Sequence, residues 1–166
     1  MTTDTLDVLM DSRQLTARIN EMAQEIRDAV PDGDVHFVCV LKGAFMFLSD
    51  LVRAMDNRVT LDFIAVSSYG SGKTSSGEVR LNKDVDTSLE GRHVVIIEDI
   101  VDTGLTLHYL QDILRRRGPE SLRTACLLSK PSRRKVDVTV DFVGFTIEDR
   151  FVVGYGLDYA EQYRNL

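Results

Sequence analysis

Tryptophan is absent from this sequence, and cysteine, proline and histidine are scarce, with two, three and three residues respectively. Cys39 in HFVCVL and Cys126 in RTACLLS each lie inside an apolar run, where a free thiol behaves as a small core residue, so neither a disulfide nor a zinc site is expected. His36, His93 and His108 have no metal-ligand spacing and fit packing or surface roles. Basic residues are outnumbered, 20 Lys and Arg against 26 Asp and Glu. The resulting charge of −6 argues against broad nucleic-acid binding, which depends on basic surface neutralising phosphates. No run approaches the ~18 apolar residues of a membrane span. The opening MTTDTLDVLMDSRQ also lacks the basic start and apolar stretch of a signal peptide. The expectation is a cytoplasmic protein with no nucleic-acid and no membrane partner.

Apolar residues make up 43% of the 166, enough for one core, so a single domain over residues 1–166 is expected. Leu15, Ile19, Met22, Ile26 and Val30 recur at steps of three and four, which predicts an amphipathic helix with Asp11 or Ser12 as N-cap and Pro31-Asp32-Gly33 as its end. VHFVCVL, residues 35–41, is a continuous apolar run of the kind found in buried parallel strands. Helical spacing returns in AFMFLSDLVRAM, and VTLDFIAVSS (59–68) and RHVVIIED (92–99) are predicted as strands. A helix follows over 105–118, its last turn carrying Arg115, Arg116 and Arg117 before a Gly-Pro stop. LRTACLLS, DFVGF and FVVGY are further strand candidates. Alternation of this kind predicts an α/β fold with a parallel-sheet core flanked by helices, and ligands in such sheets gather at the carboxyl ends of the strands.

SSYGSGKTSSG (67–77) contains GSGKT, the tail of a nucleotide-binding loop, but G-x-x-x-x-G-K-[ST] requires glycine where Ser67 stands, and no helical period follows. The better phosphate cradle is VVIIEDIVDTGLTL (94–107). An apolar strand runs into Glu98-Asp99, and Asp102-Thr103-Gly104-Leu105-Thr106 then opens a helix whose N–H groups and dipole favour an anion. Taken alone, Asp102 or Thr103 could simply cap that helix. The other strand ends supply Leu41-Lys42-Gly43, Ser67-Ser68-Tyr69, Ser129-Lys130 and Phe151-Val152, with Asp158 beyond.

VVIIEDIVDTGLT resembles the signature with which phosphoribosyltransferases bind 5-phosphoribosyl-1-pyrophosphate. LKG (41–43), SSYG (67–70), SKP (129–131) and FVVGYGLDY (151–159) are similar to further motifs of the hypoxanthine-guanine branch, in the same order. The resemblance implies a type I phosphoribosyltransferase fold with a small hood from the chain ends, Mg²⁺ as cofactor, and a homodimer or homotetramer. It implies that Glu98 and Asp99 hold the ribose hydroxyls or Mg²⁺, that Asp102 through Thr106 bind the 5′-phosphate, and that Asp102 also handles a proton at purine N7. Leu41, Lys42 and Gly43, with a cis Leu41–Lys42 peptide, would contact pyrophosphate, as would Arg164. Lys130 would donate to the purine 6-oxo group, Phe151 would stack on the base, the Val152 backbone would read its edge, and Asp158 would bind a second Mg²⁺. Residues 67–80 would form a mobile loop closing over the site through Ser68 and Tyr69. The implied reaction gives IMP or GMP from a 6-oxopurine. Xanthine-guanine specificity and a regulatory RNA-binding homologue are the alternatives, the second weakened by basic clusters as short as SRRK.

Overall fold

In the computed structural model, which describes residues 5–30, 32–68 and 78–166, the predicted alternation becomes a three-layer arrangement. Among these residues six strands form one sheet: β1 (Val35–Leu41), β2 (Val59–Ser68), β3 (Val79–Lys83), β4 (His93–Val101), β5 (Ser121–Ser129) and β6 (Phe142–Thr146). Their order is β3-β2-β1-β4-β5-β6, parallel throughout except where β3 runs against β2. Val35 lies opposite both Val59 and His93, and His93 opposite Ser121, so four central strands start in register. Their carboxyl ends therefore open on one edge.

Side chains alternate across a strand, and this divides the core in two. Val35, Phe37 and Cys39 of β1 face α1 (Ser12–Ala29) and α2 (Phe45–Ala54), where Ile19, Met22, Ile26, Phe47 and Leu51 are buried. Val38 and Val40 face α3 (Leu105–Arg115), packing with Leu107, Leu110 and Leu114. Each large apolar side chain buried in this way contributes about 1.5–3 kcal/mol. The two thiols divide likewise, Cys39 in the first core and Cys126 in the second, and burial pushes each up to about 12. Asp11 is the N-cap of α1: its carboxylate accepts from Gln14 N at 2.9 Å, and the Gln14 side chain accepts from Asp11 N at 2.9 Å. No helix of the described residues is long and apolar enough to cross a membrane.

Three expectations need correction. Ser67 and Ser68 end β2, and Val79 and Arg80 begin β3, so the segment expected as a loop over 67–80 is narrower; Tyr69 and the rest of 69–77 lie outside the described residues. FVVGY is not a strand, because Gly154, Tyr155 and Gly156 take φ of 92, 50 and 97° and turn the chain into an isolated bridge between Gly154 and Leu157. The third helix ends at Arg115, before Gly118 enters the left-handed region at φ 72°. The turned C-terminal segment forms the hood: Tyr155 donates its hydroxyl to Asp50 of α2, and its backbone N–H bonds Leu166 O at 2.8 Å.

Candidate active site

The carboxyl edge of the sheet encloses a cavity of about 660 Å³. Leu41 from β1, Ser67 and Ser68 from β2, Glu98 and Asp99 from β4, and Asp102, Thr103, Gly104 and Thr106 around the start of α3 all line it, with Asp158 and Glu161 from the C-terminal segment. Segments far apart in the sequence thus meet because parallel strands all deliver their carboxyl ends to one place.

Glu98 is 6% exposed although it carries a carboxylate. Burial first, and then the neighbouring Asp99 carboxylate, push its pKa well above the usual range. Asp99 is raised as well, again by burial, although the Ile100 N–H, at 2.6 Å from Oδ1, favours the charged form. Buried Glu98 and half-buried Asp99 thus bring two consecutive acids of β4 to the cavity, where a cation or hydroxyl donors would offset the cost of their charge. Gly43 makes room for the pair, since a β-carbon there would fall inside the Asp99 carboxylate. The Leu41–Lys42 peptide leading to it is cis.

The turn after β4 settles the capping question. Gly104, at φ 85°, is the N-cap of α3 and no side chain caps the helix; Thr103 Oγ1 lies 3.4 Å from Leu105 N. The Asp102 carboxylate instead accepts from Arg133 Nε at 2.8 Å, so the expected cap role of Asp102 is not realised. An uncapped helix start beside a cavity leaves N–H donors for an anion.

Lys42, Gly43, Leu105, Lys130, Phe151, Val152 and Arg164 are not among the residues that line this cavity. Lys130 is buried at the end of β5, its N–H bonding Val101 O at 2.9 Å and its Nζ 3.9 Å from Asp149. Phe151 is 73% exposed, with its ring edge-on to Tyr159 at 5.7 Å, and is thus free to meet a planar ligand. Val152 packs against the first core. Arg164 reaches Asp158 at 3.5 Å and Glu161 at 3.3 Å, and Glu161 also holds Lys42 at 3.2 Å. The Lys42 ammonium, with help from Arg164, keeps the Glu161 carboxyl below its usual range. Glu161 was not foreseen from the sequence, although its spacing of three from both Asp158 and Arg164 is a signal that a turn could join them.

A strand carrying two acids near its carboxyl end, a helix start with glycine at its N-cap and a cavity between them suit an anionic, hydroxyl-bearing ligand at the edge of an α/β sheet. The family profile described as Phosphoribosyl transferase domain matches residues 6–160, and this chain belongs to that family. The chain is 49% identical over 159 residues to the hypoxanthine-guanine phosphoribosyltransferase of Bacillus subtilis, covering 96% of this chain and 88% of that protein. Among solved structures it is similar to a hypoxanthine-guanine phosphoribosyltransferase of Bacillus anthracis, with a TM-score of 0.94, 45% identity, and coverage of 98% of this chain and 96% of that one. It is also similar to the hypoxanthine phosphoribosyltransferase of Trypanosoma cruzi in complex with the product IMP, with a TM-score of 0.91, 42% identity, and coverage of 100% and 93%.

Proposed function

We propose that this chain is a purine-salvage enzyme, transferring the 5-phosphoribosyl group of 5-phosphoribosyl-1-pyrophosphate to hypoxanthine or guanine and releasing pyrophosphate. The observation that carries the reading is the buried Glu98 and the half-buried Asp99 of β4 meeting the start of α3, which no side chain caps, within one cavity. In the reaction the bond from ribose C1 to the pyrophosphate oxygen breaks, a bond from C1 to a purine nitrogen forms, and a purine proton leaves.

Each residue has a task in that exchange. The N–H groups at Thr103, Gly104, Leu105 and Thr106, with the two threonine hydroxyls, hold the 5′-phosphate. Glu98 and Asp99 bind the ribose hydroxyls, and their negative field favours the oxocarbenium-like centre. Asp102 accepts or returns a proton at purine N7. Lys130 donates to the 6-oxo group, Phe151 stacks on the ring, and the Val152 backbone reads its edge. Leu41, Lys42, Gly43 and Arg164 receive pyrophosphate, with Ser68 at the end of β2 beside the same cavity. Keeping water from that cavity would protect the sugar cation from capture.

The donor set fits Mg²⁺. Among the described residues no group of three or more His, Cys, Asp or Glu side chains is arranged to hold a metal by itself. Mg²⁺ commonly binds one or two carboxylates and takes its other ligands from substrate phosphates and water. Glu98 and Asp99 would hold one ion and Asp158 a second, and when bound the ions would neutralise charge on the departing pyrophosphate. A cytoplasmic setting accords with these soluble substrates. Assembly into a homodimer or homotetramer is supported by an apolar hollow beside α2 that includes Phe45, Leu61 and Phe63, of which Phe45 and Leu61 are exposed.

The test is nucleotide formation by the purified protein with phosphoribosyl pyrophosphate and Mg²⁺, offering hypoxanthine, guanine, xanthine, adenine and uracil separately. IMP or GMP should form, with a rate falling about 10²–10⁴-fold in Asp102→Asn. Failure to convert any base while phosphoribosyl pyrophosphate still binds would overturn the catalytic reading.

A further inference from the structure

The basic run SKPSRRK after β5 has the composition of a solvated surface loop, but its second arginine is turned inward. Arg134 Nη1 donates to the carbonyls of Val101 and Asp102, each at 2.8 Å, and to that of Lys130 at 3.3 Å. Its Nη2 donates to the buried Ser129 hydroxyl at 2.8 Å. Two backbone bonds run alongside, Lys130 N to Val101 O and Lys135 N to Thr103 O, both at 2.9 Å. One half-buried guanidinium therefore joins the ends of two neighbouring strands just where the regular pairing of Val101 with Ser129 stops.

The geometry has a directional consequence. A peptide unit is planar, and its C=O and the following N–H point opposite ways. Holding the carbonyls of Val101 and Asp102 on the guanidinium therefore turns the N–H groups of Asp102 and Thr103 away from it, and both residues line the cavity. The same guanidinium holds the peptide carbonyl of Lys130, the residue assigned above to the purine 6-oxo group. Charge-assisted bonds to carbonyls are stronger than neutral ones, and a planar fork fixes direction as well as distance. A lysine would supply the charge but not the fork.

Resting on the transferase reading above, we propose that Arg134 is a positioning residue for the reaction. It fixes the phosphate-binding turn and the base-reading lysine relative to each other, so that the sugar and the purine are presented as one aligned pair. A misplacement of about 1 Å between reacting groups can cost about 10²-fold in rate. The effect of losing Arg134 should accordingly appear in kcat and in the KM values of both substrates, beyond any loss of folded protein.

Arg134→Met, which keeps the stem without donors, and Arg134→Lys are compared with the parent in the full chain, at a temperature where thermal melting shows all three folded. Steady-state constants are measured for phosphoribosyl pyrophosphate and for hypoxanthine, and ribose 5-phosphate binding is measured by calorimetry. The expected result is a fall of about 10²-fold in kcat/KM for Arg134→Met, weaker ribose 5-phosphate binding, and incomplete recovery in Arg134→Lys. Variants that melt earlier but keep parental kcat, KM values and ribose 5-phosphate affinity would overturn the proposal. A parent protein that forms no nucleotide would overturn the transferase reading instead, and unchanged ribose 5-phosphate binding in Arg134→Met would then overturn the positioning role separately.

Discussion

Glu98→Gln should make the unliganded protein more stable and less active, with a stability gain that depends on pH. The glutamine keeps the shape of the side chain but removes one of two adjacent negative charges from a position that is only 6% exposed. Because burial and Asp99 raise the Glu98 pKa, the folded protein holds its proton more tightly than the unfolded chain does. Stability from this group is therefore fully present below the ordinary glutamate range and is lost as pH rises toward the folded-state pKa. Above the ordinary range the unfolded chain ionises freely, while the folded one must keep an extra proton or bear the buried charge. Neutralisation should recover about 1–2 kcal/mol near pH 8, the size of other single stabilising changes. For a chain of this length that is a rise of about 2–8 °C in Tm. Thermal unfolding of parent and variant, followed from pH 4 to pH 8 without Mg²⁺ or substrate, provides the assay. The gain should be small at pH 4 and grow with pH. A variant less stable than the parent at pH 8, or one gaining equally at both ends, would refute the reasoning.

Part-way along β2, the Asp62 carboxylate accepts from the N–H groups of Phe63, Asp86 and Thr87 and from the Thr87 hydroxyl, at 2.7–3.0 Å. Its burial acts to raise the pKa, but these donors outweigh it and hold the carboxyl below its ordinary value. Asp62→Asn should cost about 2 kcal/mol at pH 7, and urea unfolding should show that cost shrinking as pH falls through the carboxylate range, where the parent loses the same advantage. Gly43→Ala should abolish most activity, because the added methyl meets Asp99; a crystal structure should find one of the two displaced, and an active variant with both unmoved would contradict the packing. Tyr155→Phe removes the bond from the hood to Asp50 and should lower stability by about 1 kcal/mol, read from the midpoint of chemical denaturation.

Strands β1 and β2 were legible to the residue, β1 because a continuous buried apolar run bounded by turn signals has few other uses, and β2 because its β-branched and aromatic residues run from the turn before Val59 to the hydroxyl-rich Ser67-Ser68. The edge strand β3 was not, since VRLNK is short and polar, with Arg80 and Asn82 exposed at alternate positions and Lys83 at its end, as edges that discourage pairing with other chains are. FVVGY misled for the converse reason. Its apolar composition suits a strand, but Gly154 and the following Gly156 sit where the backbone turns to carry the hood back over α2. Of the cavity lining, Leu41, Ser67, Ser68, Glu98 and Asp99 could be read from strand ends alone, whereas the roles proposed for Lys130, Phe151 and Arg164 needed the resemblance. Arg134 was hidden among look-alike neighbours: in SKPSRRK nothing local tells the inward arginine from Arg133 or Lys135. That distinction depends on which carbonyls the folded turn presents.

The two thiols give the molecule a pair of built-in reporters of its own breathing. Both are held far from the reactive thiolate form, and they lie on opposite faces of the same sheet, Cys39 under α1 and α2 and Cys126 under α3. Modification by a thiol reagent then requires the covering layer to lift, so each labelling rate measures the opening of one layer. Cys126 is paired in register with buried Glu98, on the strand that carries both acids. A ligand that steadies those acids should therefore slow labelling at Cys126, and comparison with Cys39 would show whether the stiffening stays on one face or crosses the sheet.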